Sequence, residues 1–204
     1  MIAVIDYGAS NLSSVAKAVA RLGYTAIVTS NPEDILTADA VLLPGVGAAG
    51  DAVAKLKARG LIDPIVTTVH EGRPFFGICL GYQILFASSD EGDVPCLDLL
   101  PGRVVRLPES SLKVPHMGWN QVRQRIVHPL FDGIPDGADF YFVHSYYPDV
   151  ADDSLVAGVT EYGVTFCSLL VKGKIEASQF HPEKSGEQGL RVLRNFFSFT
   201  GIRG

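Results

Sequence analysis

Two kinds of apolar pattern alternate through the first half of the chain. Short continuous apolar runs are typical of strands covered on both faces, and they lie at residues 2–6, 25–29, 40–43 and 74–78. Helical spacing or a helix-start signal follows each run, at residues 12–22, from residue 32, at residues 52–56 and 63–72, and at residues 80–87. Because parallel neighbours need crossover connections, this alternation predicts a three-layer, doubly wound, mostly parallel α/β sheet of the flavodoxin-like kind.

The pattern changes beyond about residue 100, where strand-like runs follow one another without helices between them. They occupy residues 104–107, 155–159, 164–171 and 175–180. Turns at Tyr162-Gly163 and Gly173 separate the last three runs, which predicts antiparallel pairing among them. A final helix follows, with its apolar residues on one stripe. We expect one domain over residues 1–204, with the antiparallel part added to the same sheet.

Composition and charge narrow the range of partners. The 204 residues are 47% hydrophobic, enough for a large core, and the net charge of −5 argues against binding nucleic acid or an anionic membrane. No apolar run approaches the roughly 18 residues of a membrane span, and no signal-peptide core is evident. Three cysteines without a C-x-x-C pair predict neither a disulfide framework nor a zinc site. We therefore expect a cytoplasmic protein that binds small molecules or other proteins.

A G-x-C-x-G motif at residues 77–81 is the most informative chemical signal in the chain. It places Cys79 between a predicted strand and a predicted helix, where a nucleophile stands on a strained turn. Glycine on both sides suits the crowding of strand and helix at such a turn. The N–H groups at the helix start, beginning with Leu80, could hold an oxyanion. The alternative is a buried cysteine that packs as a small apolar residue.

A histidine and a glutamate follow the last predicted strand. A nucleophilic cysteine needs a base and a third group that orients the base, and His181 with Glu183 supplies both. Reactive groups gather beyond the carboxyl ends of parallel strands, and Cys79 and His181 each follow a predicted strand directly. The strand at residues 175–180 must therefore run in the same direction as the cysteine strand. The alternative is a helix start in which Glu183 complements the helix dipole.

A formal G-x-G-x-x-G stands at residues 45–50, between a predicted strand and a predicted helix. A dinucleotide site would also need an acidic residue at the end of the next strand, about 20 positions on, whereas Asp63 stands at a helix start. The backbone around Val46 and Gly47 instead suits the second donor of an oxyanion hole, opposite Leu80. A plain tight turn is the alternative.

These residues resemble the class I glutamine amidotransferases of the triad type, and the resemblance covers the whole chain. Five further segments resemble the glutaminase subunits of imidazole glycerol phosphate synthases. They lie at residues 5–12, 43–47, 114–120, 141–146 and 180–185. Two residues depart from the family's usual pattern: Ser10 stands where glycine is frequent, and Tyr82 where methionine is frequent.

The resemblance implies hydrolysis of glutamine to glutamate, with ammonia passed to a (β/α)₈-barrel cyclase subunit in a heterodimer of histidine biosynthesis. The cyclase would make imidazole glycerol phosphate and aminoimidazole carboxamide ribotide. The implied glutamine site comprises Gly47, Gln83, Glu91, His144, Ser145 and Tyr146. Glu91 would pair with the α-ammonium group of glutamine. The implied partner surface comprises Asn11, Tyr141 and Lys184. No metal or organic cofactor is implied.

Three alternatives stay open. The chain could be the glutaminase of another synthase, of the anthranilate or GMP type. An elbow nucleophile also suits a cysteine-dependent esterase or thioesterase. A flavodoxin-like binding domain in which Cys79 only senses oxidation would account for the elbow, but not for His181 and Glu183.

Overall fold

Helices and strands alternate through the first half of the chain in the computed structural model, which describes residues 1–109 and 112–202. The helices are α1 (Leu12–Arg21), α2 (Pro32–Thr37), α3 (Ala49–Ala58), α4 (Ile62–His70), α5 (Leu80–Gln83) and α6 (Gly186–Phe199). The strands are β1 (Ile2–Ile5), β2 (Ala26–Thr29), β3 (Ala40–Gly45), β4 (Phe75–Cys79), β5 (Ser88–Ser89), β6 (Val94–Pro95), β7 (Gly102–Arg106), β8 (His116–Gln124), β9 (Ala138–His144), β10 (Tyr146–Val150), β11 (Val156–Glu161), β12 (Thr165–Lys172) and β13 (Ile175–Ser178). Within these residues, no helix has the length and apolar character needed to cross a membrane.

A nine-stranded mixed sheet organises the molecule, in the order β2-β1-β3-β4-β13-β12-β11-β8-β9. Neighbours from β2 to β13 pair in parallel, and those from β13 to β9 pair antiparallel. The predicted α/β fold with an antiparallel extension is therefore confirmed. The required direction of the last strand is also confirmed, because β13 runs parallel to β4 and lies directly beside it.

Two apolar clusters cover the two faces of the large sheet and make three layers. One cluster includes Leu56 of α3 and Ile65 of α4, both fully buried. The other includes Val15 of α1 and Phe196 of α6. Helices therefore cover both faces of the parallel strands, which is the reason their sequences are apolar without alternation.

The expectation that the whole antiparallel part extends one sheet is wrong for the strand predicted at residues 104–107. This segment forms β7 in a second, four-stranded sheet, in the order β10-β7-β5-β6. Its partner β10 pairs with it from Tyr146 to Val150. A run of residues carries no information about its pairing partner, and here the partner lies about forty residues further along the chain.

The helix predicted at residues 80–87 is shorter than expected and ends at Gln83. The carbonyl groups of Ile84, Leu85 and Phe86 accept hydrogen bonds from the backbone of residues 97–100 instead of from a further helical turn. Buried carbonyl groups need a partner, and this returning segment provides it. The apolar side chains of residues 84–86 are fully buried, so the helical spacing in the sequence reflects burial.

Strand β8 was not predicted because the pattern of exposure is inverted over its first four residues. Its large apolar residues Met117 and Trp119 are 63% and 58% exposed, whereas His116 is buried. An amphipathic strand normally buries its apolar side chains, so this alternation does not suggest a sheet with one face on the core. Met117 and Trp119 therefore lie on the surface of the protein and do not contribute to its core.

One fully buried carboxyl group lies within the large sheet. Glu176 on β13 is 0% exposed, and its register neighbours are Phe76 on β4 and Val171 on β12. Neither of its carboxyl oxygens has a hydrogen-bond partner among residues 1–109 and 112–202. Burial raises the pKa of Glu176 from 4.5 to about 8, because the charged form would lose its hydration. The group is therefore protonated in the folded protein at neutral pH.

We expect Glu176→Gln to remove a pH dependence of stability. The unfolded chain releases this proton near the ordinary pKa of 4.5, whereas the folded protein holds it up to a pKa of about 8. The contribution of protonated Glu176 to the free energy of unfolding should thus be fully present below pH 4.5. It should decrease as the pH rises toward 8, and at pH 7 the loss should be about 3 kcal/mol. Urea unfolding of both proteins at several pH values checks this, and identical pH slopes would contradict it.

Candidate active site

Cys79 stands at a sharp turn between β4 and α5. Its backbone has φ 54° and ψ −107°, a conformation that is strained for a residue with a side chain. Glycine is required on both sides. A Cβ on Gly81 would lie 1.8 Å from the carbonyl oxygen of Leu43, and a Cβ on Gly77 would lie 2.9 Å from the carbonyl oxygen of Gly81. This crowding explains the G-x-C-x-G spacing and leaves the cysteine facing a cavity at the sheet edge.

His181 follows β13, so the parallel strands β4 and β13 bring it and Cys79 to the same edge of the sheet. His181 Nδ1 lies 2.8 Å from Oε1 of Glu183, and both side chains are fully buried. Because the carboxylate accepts, Nδ1 carries the donated proton. Nε2 makes no hydrogen bond of ordinary geometry with any described residue. This arrangement orients the imidazole and leaves Nε2 available for proton transfer.

Opposing effects determine the charge on His181. Burial lowers its pKa, but negative charge on the Cys79 sulfur and the hydrogen-bonded carboxylate of Glu183 outweigh burial and raise the pKa to about 10. The imidazole is therefore held protonated when the neighbouring sulfur is charged. A proton on Nε2 is then available to a leaving group.

The loop after β3 lies against the cysteine turn. Gly45 is the register partner of Cys79, so Val46 and Gly47 follow at the level of the nucleophile. Both residues line the same cavity as Cys79 and Leu80. Gly47 has φ +96°, a conformation that favours glycine. The structure thus brings together all three residues that were predicted to form an oxyanion hole.

The cavity has a volume of about 560 Å³, and all six residues predicted to bind glutamine line it: Gly47, Gln83, Glu91, His144, Ser145 and Tyr146. Some of their polar atoms also bind within the chain. Glu91 Oε2 accepts a hydrogen bond of 2.8 Å from the backbone N–H of Ala49 at the start of α3. Gln83 Nε2 donates to the Tyr146 carbonyl oxygen at 2.7 Å. These contacts hold the wall of the cavity in place.

The whole chain is similar to known glutamine amidotransferases. The family described as Glutamine amidotransferase class-I matches residues 3–199. The chain belongs to this family. Imidazole glycerol phosphate synthase subunit HisH of Dehalococcoides mccartyi is 54% identical over 201 residues, with 98% of both chains covered. The HisH subunit of Chloroflexus aurantiacus is 51% identical over 204 residues, covering 98% of this chain and 96% of the relative. A crystal structure of a glutamine amidotransferase shares the fold, with a TM-score of 0.78 and 20% identity over 99% of this chain and 100% of that one.

The three residues predicted to face a partner have different positions in this class I amidotransferase. Asn11 is only 7% exposed, and its Nδ2 donates to Glu183 Oε1 at 3.2 Å. Lys184 is exposed, with Nζ 5.9 Å from the ring centre of the half-buried Tyr141. The Trp119 ring lies 6.1 Å from the Tyr141 ring. Asn11 therefore supports the carboxylate beside the histidine, while the other residues form an aromatic and basic surface.

Sequence reasoning missed one residue that contacts the cysteine. Gln179 is fully buried, and its Nε2 donates to Cys79 Sγ at 3.6 Å. Its Oε1 accepts a hydrogen bond from Gln83 Nε2 at 3.0 Å. The available signal was a glutamine at the end of a buried strand, two positions before the histidine. In this amidotransferase Gln179 connects the cysteine sulfur by hydrogen bonds to Gln83, which lines the cavity.

Tyr82, one of the two departures from the family pattern, points away from the site. It is fully buried, and its ring packs edge-on to Phe86 with a centroid distance of 5.4 Å. Its hydroxyl donates to Cys167 Sγ at 3.2 Å. Burial raises the pKa of this hydroxyl well above its ordinary value. The departure therefore changes the packing behind the elbow, whereas Ser10 lines the cavity itself.

Two residues of the G-x-G-x-x-G at residues 45–50, Val46 and Gly47, line the cavity of this amidotransferase. Gly50 lies within α3. Asp63 lies in the first turn of α4, as predicted, and does not end a strand. Across the part of the chain that the structure describes, no three His, Cys, Asp or Glu side chains group closely enough to hold a metal ion.

Proposed function

We propose that this chain hydrolyses glutamine to glutamate and ammonia, as the single-domain glutaminase subunit of an imidazole glycerol phosphate synthase. The observation that carries the proposal is the strained Cys79 beside the buried His181 and Glu183 pair, on the wall of a cavity of about 560 Å³. The two relatives that carry the HisH name, each more than half identical, support a role in histidine biosynthesis. Three free cysteines support a cytoplasmic location.

The proposed reaction proceeds through a thioester. The Cys79 sulfur attacks the side-chain amide carbon of glutamine, and His181 gives a proton from Nε2 to the leaving nitrogen, which departs as ammonia. Water then attacks the thioester while His181 removes its proton. The C–S bond then breaks, glutamate leaves, and the charged Cys79 sulfur and the protonated His181 are restored. Glu183 keeps the imidazole oriented and stabilises its positive charge in both steps.

Both steps place negative charge on the former carbonyl oxygen of glutamine. The N–H of Leu80 at the start of α5 and the backbone of Val46 and Gly47 would stabilise this oxyanion from two sides. One such donor typically contributes about 2.7–4 kcal/mol of transition-state stabilisation. The close approach of strand and helix at Gly81 supports this role, because it brings the loop after β3 against the start of α5.

The lining of the cavity also supports a proposal for how glutamine binds and ammonia leaves. The Glu91 carboxylate would pair with the α-ammonium group of glutamine, and the backbone and side chains of residues 144–146 would bind the rest. The cavity is also lined by Ser10, Asn11 and Ser14, which lie just before and within the first turn of α1. We propose that ammonia leaves in this direction, past Lys184, toward the partner.

The partner would be a (β/α)₈-barrel cyclase subunit that binds the surface around the cavity mouth. Exposed apolar area supports this, because Met117 and Trp119 are more than half exposed. The Trp119 ring lies 6.1 Å from the Tyr141 ring, and Lys184 Nζ lies over that Tyr141 ring. Aromatic residues of this kind are enriched in protein interfaces. A patch that combines aromatic rings with a lysine would suit an apolar partner face bearing an acidic residue.

Three experiments separate this proposal from its alternatives. Co-purification with an anthranilate or GMP synthase subunit would assign the ammonia to another pathway. Hydrolysis of model esters without activity on glutamine would indicate an esterase or thioesterase. Reversible oxidation of Cys79 in a protein that never hydrolyses glutamine would indicate a redox sensor.

We expect the isolated chain to be a poor glutaminase that the loaded cyclase activates, because unregulated hydrolysis would waste ammonia. A cyclase barrel should bind the chain in a pull-down assay. Glutamate production should then rise by about tenfold or more when the phosphoribosyl-formimino substrate of the cyclase is added. High turnover by the chain alone, unchanged by the cyclase, would contradict this expectation.

A further inference from the structure

A second pair of buried histidines lies next to the proposed glutamine site. His116 on β8 and His144 on β9 are register partners in the large sheet, and they are 3% and 6% exposed. His116 Nδ1 lies 3.0 Å from His144 Nε2. His144 lines the cavity that holds Cys79, whereas His116 does not. His116 thus supports His144 from behind.

The contacts at the cavity end determine where the protons lie. His144 Nδ1 lies 2.9 Å from the carbonyl oxygen of Tyr146, which can only accept a hydrogen bond. His144 therefore carries a proton on Nδ1. In a neutral imidazole the other nitrogen is then an acceptor, so His144 Nε2 accepts from His116 Nδ1.

The contacts at the surface end lead independently to the same result. The side chain of Asn120 is oriented by two backbone groups: Oδ1 accepts from the N–H of Gln121 at 2.8 Å, and Nδ2 donates to the Glu161 carbonyl oxygen at 3.0 Å. Nδ2 lies 3.2 Å from His116 Nε2, which must accept. The proton of His116 is therefore on Nδ1, where it faces His144.

The surroundings of His116 keep the ring neutral and fixed. It stacks on Phe142 on one side and Tyr162 on the other, with centroid distances of 4.8 and 3.9 Å and interplanar angles of 21° for both. Burial lowers the pKa of His116 to about 4. Burial, with a smaller effect of His116, lowers the pKa of His144 to about 3. A proton added between the rings would set two N–H groups against each other.

The hydrogen-bonded chain continues from Tyr146 to the nucleophile. The Tyr146 carbonyl oxygen also accepts from Gln83 Nε2, which donates in addition to Gln179 Oε1. Gln179 Nε2 donates to Cys79 Sγ. The Tyr146 carbonyl oxygen thus accepts hydrogen bonds both from His144 and from Gln83, and Gln83 connects through Gln179 to the cysteine.

We propose that His116 is a positioning residue for glutamine binding, which donates to Nε2 of His144 in its Nδ1–H form and thereby fixes residues 144–146 on the cavity wall. This inference rests on the proposed function of the cavity as a glutamine site. His116 acts through His144, since it does not itself line the cavity.

Two substitutions separate hydrogen bonding from stacking in kinetic assays of the complex with the cyclase. His116→Phe keeps an aromatic ring between Phe142 and Tyr162 but loses the donor to His144. His116→Asn loses the ring but keeps an N–H near the position of Nδ1. We expect His116→Phe to raise the glutamine KM by about tenfold, because a buried acceptor is left unpaired, with kcat changed by less than about threefold. His116→Asn should stay within about threefold of wild type in KM.

Thermal unfolding should show a higher Tm for His116→Phe than for His116→Asn, because stacking and burial favour phenylalanine over asparagine at this position. The variant with the larger defect in KM should therefore be the more stable of the two. A purely structural role would make KM follow the loss of thermal stability, and that result would overturn the inference. Gln121→Ala, an exposed neighbour on the same strand, is the matched control and should leave KM unchanged.

Nitrogen-15 NMR of the histidine side chains gives a readout that does not depend on activity. Wild type should show His144 as the Nδ1–H tautomer, which the Tyr146 carbonyl oxygen fixes, with Nε2 accepting a hydrogen bond. His116→Phe should keep this tautomer and move the Nε2 signal of His144 toward that of an unprotonated nitrogen without a hydrogen-bond donor. An unchanged Nε2 signal in His116→Phe would overturn the inference. If the wild-type complex produces no ammonia from glutamine, the proposed function fails, and the Nε2 signal still decides whether His116 donates to His144.

Discussion

Cys79→Ala is expected to reduce glutamine-dependent synthesis by the complex by at least about 10⁴-fold. The reason is that the sulfur forms the covalent intermediate, and no other described nucleophile takes the same place at the turn between β4 and α5. A loss of this size corresponds to about 5 kcal/mol of transition-state stabilisation. Synthesis from added ammonium salt should persist, because the cyclase would receive ammonia without the glutaminase. Parallel assays with glutamine and with ammonium salt measure the two activities.

A second cysteine provides a matched control for this substitution. Cys96 is half-buried, and burial, with a smaller effect of Glu91, raises the pKa of its thiol to about 11. It is therefore a neutral thiol at physiological pH, and Cys96→Ala should keep glutamine-dependent activity within about threefold. Glutamine-dependent turnover that survives in Cys79→Ala would show that the proposed mechanism is wrong.

Gly81→Ala is expected to destabilise the fold by more than about 4 kcal/mol, or to prevent folding. The added Cβ would lie 1.8 Å from the Leu43 carbonyl oxygen and 2.8 Å from its carbonyl carbon, which are backbone atoms of a central strand. Neither β3 nor the start of α5 can retreat without breaking the pairing of β3 with β4. Soluble yield and the urea unfolding midpoint measure the effect.

Gly50→Ala controls for the general effect of alanine at the second residue of a helix. Gly50 has that position in α3, as Gly81 has in α5. The three atoms nearest to its added Cβ all belong to the side chain of Val94, the first at 3.2 Å, and alanine favours the helix by about 1 kcal/mol. We expect its stability to lie within about 1 kcal/mol of wild type. Equal effects of the two substitutions would contradict the close approach of strand and helix at Gly81.

The elements of the first half could be predicted because their sequence patterns are local. The strands there are buried on both faces, so each appears as an apolar run, and the helices carry their own start signals, such as Asn31 accepting from the Glu33 N–H at α2. The second half was harder to predict. At the start of β8 a polar residue is buried and two apolar residues are exposed, since His116 is paired inside the protein while Met117 and Trp119 face outward.

Part of the candidate site was also accessible from local sequence. Cys79 between two glycines and His181 two positions before Glu183 each form a short motif whose chemistry can be recognised without coordinates. Gln179 and His116 could not be found in this way. Their roles depend on which atoms lie opposite them, and those atoms come from strands about a hundred and about thirty residues away along the chain.

The sequence alone determined the alternation of strands and helices, the strained turn at Cys79 and the identity of a base with its orienting carboxylate, because neighbouring residues specify these features. Only the tertiary structure decided that β13 lies directly beside β4, that Asn11 bonds to Glu183, and that β7 and β10 form a separate sheet. These features depend on pairings between distant segments. Such pairings depend on the packing and hydrogen bonding of the whole chain. A local sequence pattern contains no information about them.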